Sequence, residues 1–367
     1  MRTVRATASR QWRWALVAVG TAALVSIPAI VDAWPAKASE IDASSLRARI
    51  MASADTPYQG YIEGHGGIHL PDLPGAADLS TLISDTSRIR IWYSSPDRWR
   101  SDLLYSGGER DRYKTPTGLW VWDSGTHRST FVNTETQLRL PIPTDITPPE
   151  LARRALAAAQ PSELSPLGGR RVAGHDASGI RIVPREPAST IGAIDLWADP
   201  ATGLPLRVDV FAKGHDEPTL QTSFLDLQMK APDANLLSFH PPRRSVARDD
   251  GDALDLVQAI ELYSDSKLPA TLAGLPRRTE KPGAAATYGR GFGVVGVLAL
   301  PEQFVTDTLR ALPATKRPWG HTAAVVSTAL VNGMIFALDG TAYIVGGPVS
   351  VKELDRVAAA IAAGGSS

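Results

Sequence analysis

Three short constellations in this 367-residue chain hold residue types that could do chemistry. Gly291, Gly293 and Gly296 keep the spacing of a dinucleotide-binding loop, where glycines let backbone approach a pyrophosphate at a helix N-terminus. That chemistry needs a strand before the motif and a helix after it. Here the glycines sit inside an apolar run, so the better reading is small residues that permit close backbone packing. His65 and His69 lie four apart. On a strand that separates them by about 13 Å, too far to share a metal ion. Asp249, Asp250 and Asp252 flank Gly251 like part of a calcium loop, but the ligand spacing fails and a solvated linker is the better reading. The chain contains no G-x-S-x-G, H-E-x-x-H or Walker-type loop. It also contains no cysteine, which excludes disulfides, thiolate metal sites and cysteine nucleophiles. The expectation is therefore a non-enzymatic protein with no catalytic residue, metal site or cofactor.

The remaining candidates are apolar and would bind rather than react. Trp92, Trp120, Trp122, Trp197 and Phe211 stand in strand-like runs, and Trp120 and Trp122, two apart, share a face. Leu204, Leu206, Val208 and Val210 alternate with Pro205, Arg207 and Asp209, the period of a half-buried strand. Trp92, Trp120, Trp122, Trp197, Leu204, Leu206, Val208 and Phe211 are the candidate lining of an apolar cavity. The competing reading makes the aromatics ordinary core or sheet-surface residues.

The element that positions most of these is a β-hairpin over residues 194–210. Asp199 and Pro200 open its turn and Gly203 closes it. The register that best pairs the apolar residues sets Leu196 opposite Leu206 and Ile194 opposite Val208. It also brings Asp195 beside Arg207, whereas a slip of Asp195 against Asp209 would juxtapose like charges. Upstream, a helix is expected over residues 41–54 with Leu46, Ile50 and Met51 on one face. Short strands separated by turns follow from 58 to 133, an antiparallel meander. One helix interrupts it over 148–160, with Thr147 placed to cap it and Pro148 and Pro149 in its first turn. Strands resume over 170–174, 179–184 and 220–229. Further on, helices are expected over 253–262, 301–312 and 351–363. Strands are expected over 288–300, 323–338 and 341–345, with Asp339-Gly340 as a hairpin turn.

The length suits about two domains. Lysine plus arginine balances aspartate plus glutamate at 38 each, so charge points to no nucleic-acid partner. Arg2, Arg5, Arg10 and Arg13 precede an uncharged stretch from 15 to 31 with no acidic residue before Asp32. This reads as a cleaved signal peptide or an uncleaved membrane anchor with its N-terminus in the cytoplasm, so the rest of the chain is exported. The expected division is 1–39 for that segment, 40–242 for the first domain, a polar linker at 243–252 and a small second domain at 253–367.

Trp92, Pro96, Trp99-Arg100, the run Gly118 to Asp123, Leu196-Trp197-Ala198-Asp199 and Gly203-Leu204-Pro205-Leu206 resemble the outer-membrane lipoprotein carrier (LolA-like) superfamily. The two-part layout is more similar to its MucB/RseB branch of sigma-E regulators. The resemblance spans roughly residues 40 to 363 and rests on degenerate structural motifs. It implies an α+β fold: a half-open antiparallel β-barrel wrapped round helices, plus a small C-terminal α+β domain. It also implies an envelope protein with an apolar cavity for an acyl chain or lipoprotein, as sensor or carrier. The alternative it implies is a regulator that binds an anti-sigma factor, or another envelope protein, through its C-terminal domain. The stretch 70–82 has no counterpart in that pattern.

Overall fold

A computed structural model describes residues 41–67, 86–132, 142–241, 264, 266–279, 283–306, 310 and 312–364, with the backbone alone of 246–249. The N-terminal segment, His69, the stretch 70–82 and the helix expected over 253–262 lie outside the described residues.

The first helix, α1 (Ala43–Ala52), begins where the Asp42 carboxylate accepts the backbone N–H groups of Ser44 and Ser45. The Ser44 hydroxyl, then the Ser45 side chain and these N–H groups, hold the Asp42 carboxyl well below the usual carboxylate range. Leu46 and Ile50 are fully buried as expected, but Met51 is exposed. The meander runs through β1 (Tyr58–Gly66), β2 (Thr86–Ser95), β3 (Arg98–Tyr105), β4 (Gly108–Thr115), β5 (Gly118–Asp123) and β6 (Arg128–Val132). The second helix, α2 (Pro148–Ala158), starts at Thr147, whose hydroxyl donates back to the Thr144 carbonyl instead of capping the helix. Then come β7 (Leu164–Val172), β8 (His175–Ile182), β9 (Ile191–Ala198), β10 (Pro205–Ala212) and β11 (Leu220–Gln228).

With β12 (Val246–Asp249), these strands form one twelve-stranded sheet in the order β12-β6-β5-β4-β3-β2-β1-β11-β10-β9-β8-β7. The long return that pairs β11 with β1 joins the two meanders edge to edge. The barrel is not closed, because β7 and β12 remain as free edges. Strand β12 (Val246–Asp249) falls within the polar stretch 243–252 and runs parallel to β6.

Both helices pack on one face of the sheet. Leu46, Ile50, Ala152, Ala155 and Leu156 meet Ile180, Ile182, Ile194, Leu196, Val208 and Val210 there. The same face continues through Ile62, Ile89, Ile91 and Phe224. Each aliphatic side chain buried in this way contributes roughly 1.5–3 kcal/mol as an upper bound.

A separate six-stranded sheet follows: β15 (Ala285–Tyr288), β16 (Val295–Pro301), β20 (Thr341–Gly347), β19 (Asn332–Leu338), β18 (Thr322–Ser327) and β17 (Ala314–Lys316), in that spatial order. A short ribbon, β13 (Thr271–Leu272) with β14 (Leu275–Pro276), precedes it. Helix α3 (Val351–Gly364) packs Leu354, Val357, Ala358 and Ile361 on Val295, Val297, Met334 and Phe336. Its first turn is capped by Ser350, whose hydroxyl accepts from the Glu353 N–H.

Three expected elements differ. The strand expected over 288–300 is two strands, because Gly289 and Gly291 adopt positive φ and turn the chain between them. The strand expected over 323–338 is also two, turned at Thr328, whose hydroxyl accepts from the Val331 N–H. Of the helix expected over 301–312, the described residues show a 3-10 turn at Glu302–Phe304 followed by α-helical backbone at Thr306 and Arg310. The Asp339-Gly340 turn forms as expected, with both residues at positive φ.

Candidate functional site

The hairpin of β9 and β10 is built from its turn outward. The Asp199 carboxylate accepts from Ala201 N, Thr202 N and the Thr202 hydroxyl, while Gly203 N donates to the Asp199 carbonyl. Gly203 has φ +74°, and a Cβ there would lie 2.4 Å from the Arg49 carbonyl oxygen of α1. Only glycine lets the turn seat against the helix. Arg49 in turn donates to the Pro200 carbonyl.

A bulge between Pro205 and Arg207 then sets a register two residues away from the expected one. Val208 faces Leu196, Val210 faces Ile194, and Asp209 faces Asp195. A two-residue shift keeps every side chain on its face, so the apolar alternation is satisfied equally well by both registers. The like-charge pair is accommodated by arginines. Arg181 on β8 grips Asp195 with two bonds of 2.6 and 2.7 Å. Arg207 donates twice to one oxygen of Asp209 at 3.1 and 2.9 Å, and the Gln221 amide donates to the other at 3.0 Å. Burial raises the Asp209 carboxyl pKa, against the pull of Arg207.

The eight cavity candidates do not gather in one place. Leu204, Leu206 and Val208 are fully buried in the apolar clusters that also hold Leu196 and Phe224. Trp197 and Phe211 point to the opposite side of the sheet. The Trp197 indole donates to the Gly168 carbonyl at 3.0 Å, and the guanidinium groups of Arg170 and Arg207 lie 5.2 and 5.9 Å from its centroid. Phe211 lies under Arg181.

Trp92, Trp120 and Trp122 share that opposite side, one row further along the sheet. Arg100 lies 4.8 Å from the rings of both Trp92 and Tyr113, its cross-strand partners. Trp120, opposite Tyr113, contacts Phe131 and Phe239. Beside this row sits a second like-charge pair, Asp102 directly opposite Asp111. Arg100 donates to Asp102 at 2.7 and 2.8 Å and to Asp111 at 3.1 Å. Arg90 pairs with Asp102 and Glu109. Oxygens of Asp102, Glu109 and Asp111 lie within 4.8 Å of one another, a spacing that suits a cation. Arg90 and Arg100 already supply that positive charge. Burial first, and then the neighbouring Asp102, push the Asp111 carboxyl up to about 7.

The helix-bearing face is completed from outside the first sheet. Phe292 and Leu330, both from the second sheet's loops, enter the core that α1, α2 and β8–β10 form. Sequence reading passed over both. Phe292 lies between Gly291 and Gly293, where a Cβ on Gly291 would strike a Glu186 carboxylate oxygen at 2.0 Å. The glycine run thus serves close packing, as its apolar setting indicated. The seam is also stitched by backbone: Thr190 N to Pro348 O at 2.9 Å and Ser350 N to Ala188 O at 2.8 Å. Among the described residues, no helix is long and apolar enough to cross a membrane.

The chain is thus an open antiparallel sheet with two helices on one face and a separate, smaller sheet domain. Residues 130–261 match the MucB/RseB N-terminal domain family. A comparison with curated proteins gives no match. Among solved structures, the Pseudomonas aeruginosa MucA/MucB complex is similar at 19% identity and TM-score 0.47, covering 86% of this chain and 96% of that one. MucB in complex with MucA(peri) is similar at 21% identity and TM-score 0.47, covering 87% and 98%. A LolA superfamily protein from Nitrosomonas europaea is similar at 12% identity and TM-score 0.25, covering 54% and 98%.

Proposed function

We propose that this chain is an exported, non-enzymatic regulator of the envelope that binds the extracytoplasmic part of an anti-sigma factor. The observation that carries the reading is the match of residues 130–261 to the MucB/RseB N-terminal domain, in a chain that adds a second sheet docked on the first. Solved structures of MucB include its complex with MucA(peri), which supports the same kind of partner here. A pure carrier needs only the first sheet, so the second one favours regulation over transport. The N-terminal basic and apolar segment supports export and either cleavage or tethering.

A second reading assigns the helix-bearing face to an acyl chain or lipoprotein. It rests on the continuous apolar surface of Leu196, Leu206, Val208 and Phe224. That surface is filled by α1, α2, Phe292 and Leu330, so a ligand enters only if one of these covers moves. Co-purification of the full chain with candidate single-pass anti-sigma proteins tests the first reading, and failure of every cognate candidate to bind refutes it. Mass spectrometry of lipids extracted from the same preparation tests the second, which a consistently lipid-free protein refutes.

A further inference from the structure

On the face of the large sheet away from the helices, the β7–β8 hairpin arches over the ends of β1, β10 and β11 and leaves a cleft. A bulge between Leu167 and Arg170 lifts β7 out of register, and the Trp197 indole pins the lifted Gly168 carbonyl. Val172 and Ala173 at the hairpin tip thereby reach Ser223 and Leu225.

The charges in this cleft are unevenly partnered. Glu63 at its rim is neutralised by Arg88 at 3.3 Å and by His65, when protonated, at 3.1 Å. Arg171 donates to the Gly174 carbonyl and faces Asp176 at 3.7 Å. Arg207 forms the floor, 16% exposed, and Asp209 holds it through Nε and Nη2. Its Nη1 has no hydrogen-bond partner among the described residues. Arg170 lies 5.2 Å from the Trp197 centroid and makes no ion pair within 4 Å among the described residues, although it feels the charge of Asp209. Two guanidinium groups, one held by Asp209 and one making no ion pair, thus lie close to one indole beside the Gln221 amide. Guanidinium forks match the oxygens of a phosphate in both geometry and charge.

We propose that the cleft between the β7–β8 hairpin and β10–β11 is a binding site for a phosphate group, held by Arg170 and Arg207 and oriented by the second amide proton of Gln221. The site lies on the opposite side of the sheet from the apolar helix-bearing face, and it stands independently of whether an acyl chain or an anti-sigma partner binds elsewhere. The phosphate belongs either to a lipid headgroup or to a soluble ligand.

Isothermal titration calorimetry of inorganic phosphate into the full chain near neutral pH tests the site directly. One saturable site is expected, with affinity at least tenfold weaker in Arg170→Gln, an exposed position whose change leaves the fold intact. Arg207→Lys keeps the charge and removes the fork, and is expected to weaken binding similarly; it also lowers the unfolding midpoint, because Asp209 loses one of its two bonds, so the binding comparison is made well below that midpoint. Sedimentation with phosphatidylcholine vesicles, with and without phosphatidic acid, separates the two sources. Arginine-dependent retention on phosphatidic acid supports a headgroup, and saturable binding of inorganic phosphate alone supports a soluble ligand. Absence of both, or equal phosphate affinity in wild type and Arg170→Gln, overturns the proposal.

Discussion

Asp195 and Asp209 face each other directly across β9 and β10, both almost wholly buried. The arrangement is stable because each carboxylate has its own arginine: Arg181 reaches in from β8, and Arg207 folds back along β10. The same device recurs on the same side of the sheet at Asp102 and Asp111, with Arg100 and Arg90. Removing one arginine leaves an uncompensated buried charge beside a like charge. Arg181→Gln is therefore expected to destabilise the protein by about 1–3 kcal/mol in urea unfolding. Adding Asp195→Asn should recover most of that loss. Equal stability of wild type and Arg181→Gln would show that Gln221 and Arg207 already compensate both carboxylates.

Asp111 makes stability depend on pH in a direction opposite to most carboxylates. Its folded-state pKa of about 7 lies above the ordinary 3.8, so between these values the native state holds a proton that the unfolded chain releases. The stabilisation is complete below the ordinary value and is lost as pH rises through about 7. Its upper bound is about 4 kcal/mol. Asp102, also raised by burial, acts in the same direction. Thermal unfolding midpoints should fall from about pH 5 to 8, and Asp111→Asn should flatten that slope and raise stability at the alkaline end. A slope unchanged in Asp111→Asn would assign the titration elsewhere.

Leu206 is fully buried in the apolar cluster that holds Leu204 and Phe224. Leu206→Ala should cost about 2–5 kcal/mol, and Leu206→Asp should abolish the first domain's cooperative unfolding. Circular dichroism melts distinguish these outcomes from a ligand-lining role, in which the alanine variant would lose binding at unchanged stability.

Phe292 couples the two sheets, and Gly291 makes its placement feasible. Phe292→Ala should cost about 3–5 kcal/mol and open the seam to limited proteolysis near residues 183–190. Gly291→Ala should act through the same seam, since φ +52° and the Glu186 carboxylate both oppose a Cβ. Unchanged protease resistance in both variants would mean that the backbone bonds at Thr190 and Ser350 hold the seam alone.

Much of the sheet was legible from local pattern. The helix over 351–363, the turn at Asp339-Gly340 and the alternation of the meander strands all follow from residue type and short-range spacing. The hairpin register was not legible. Alternation with a period of two cannot distinguish shifts of two residues, and the bulge at Pro205–Arg207 has no local signature. The expectation against facing aspartates weighed only the two strands, whereas the deciding charge, Arg181, came from a third. The aromatic candidates met the same limit. Trp120 and Trp122 share a face, as their spacing requires, but spacing does not say which face meets the helices.

The amino-acid sequence alone determined that this chain is cysteine-free, carries a basic and apolar N-terminal segment, and folds into antiparallel strands with few helices. Those properties are set by composition and by contacts within a few residues. The tertiary structure decided that the dry face of the β9–β10 hairpin is covered by α1, α2, Phe292 and Leu330, and that Trp197 lies on the other side beside two arginines. These outcomes depend on groups from separate elements of the chain. Only assembly of the whole sheet brings such groups into contact, because a side chain's partner across a core is chosen by packing and charge, not by proximity along the backbone.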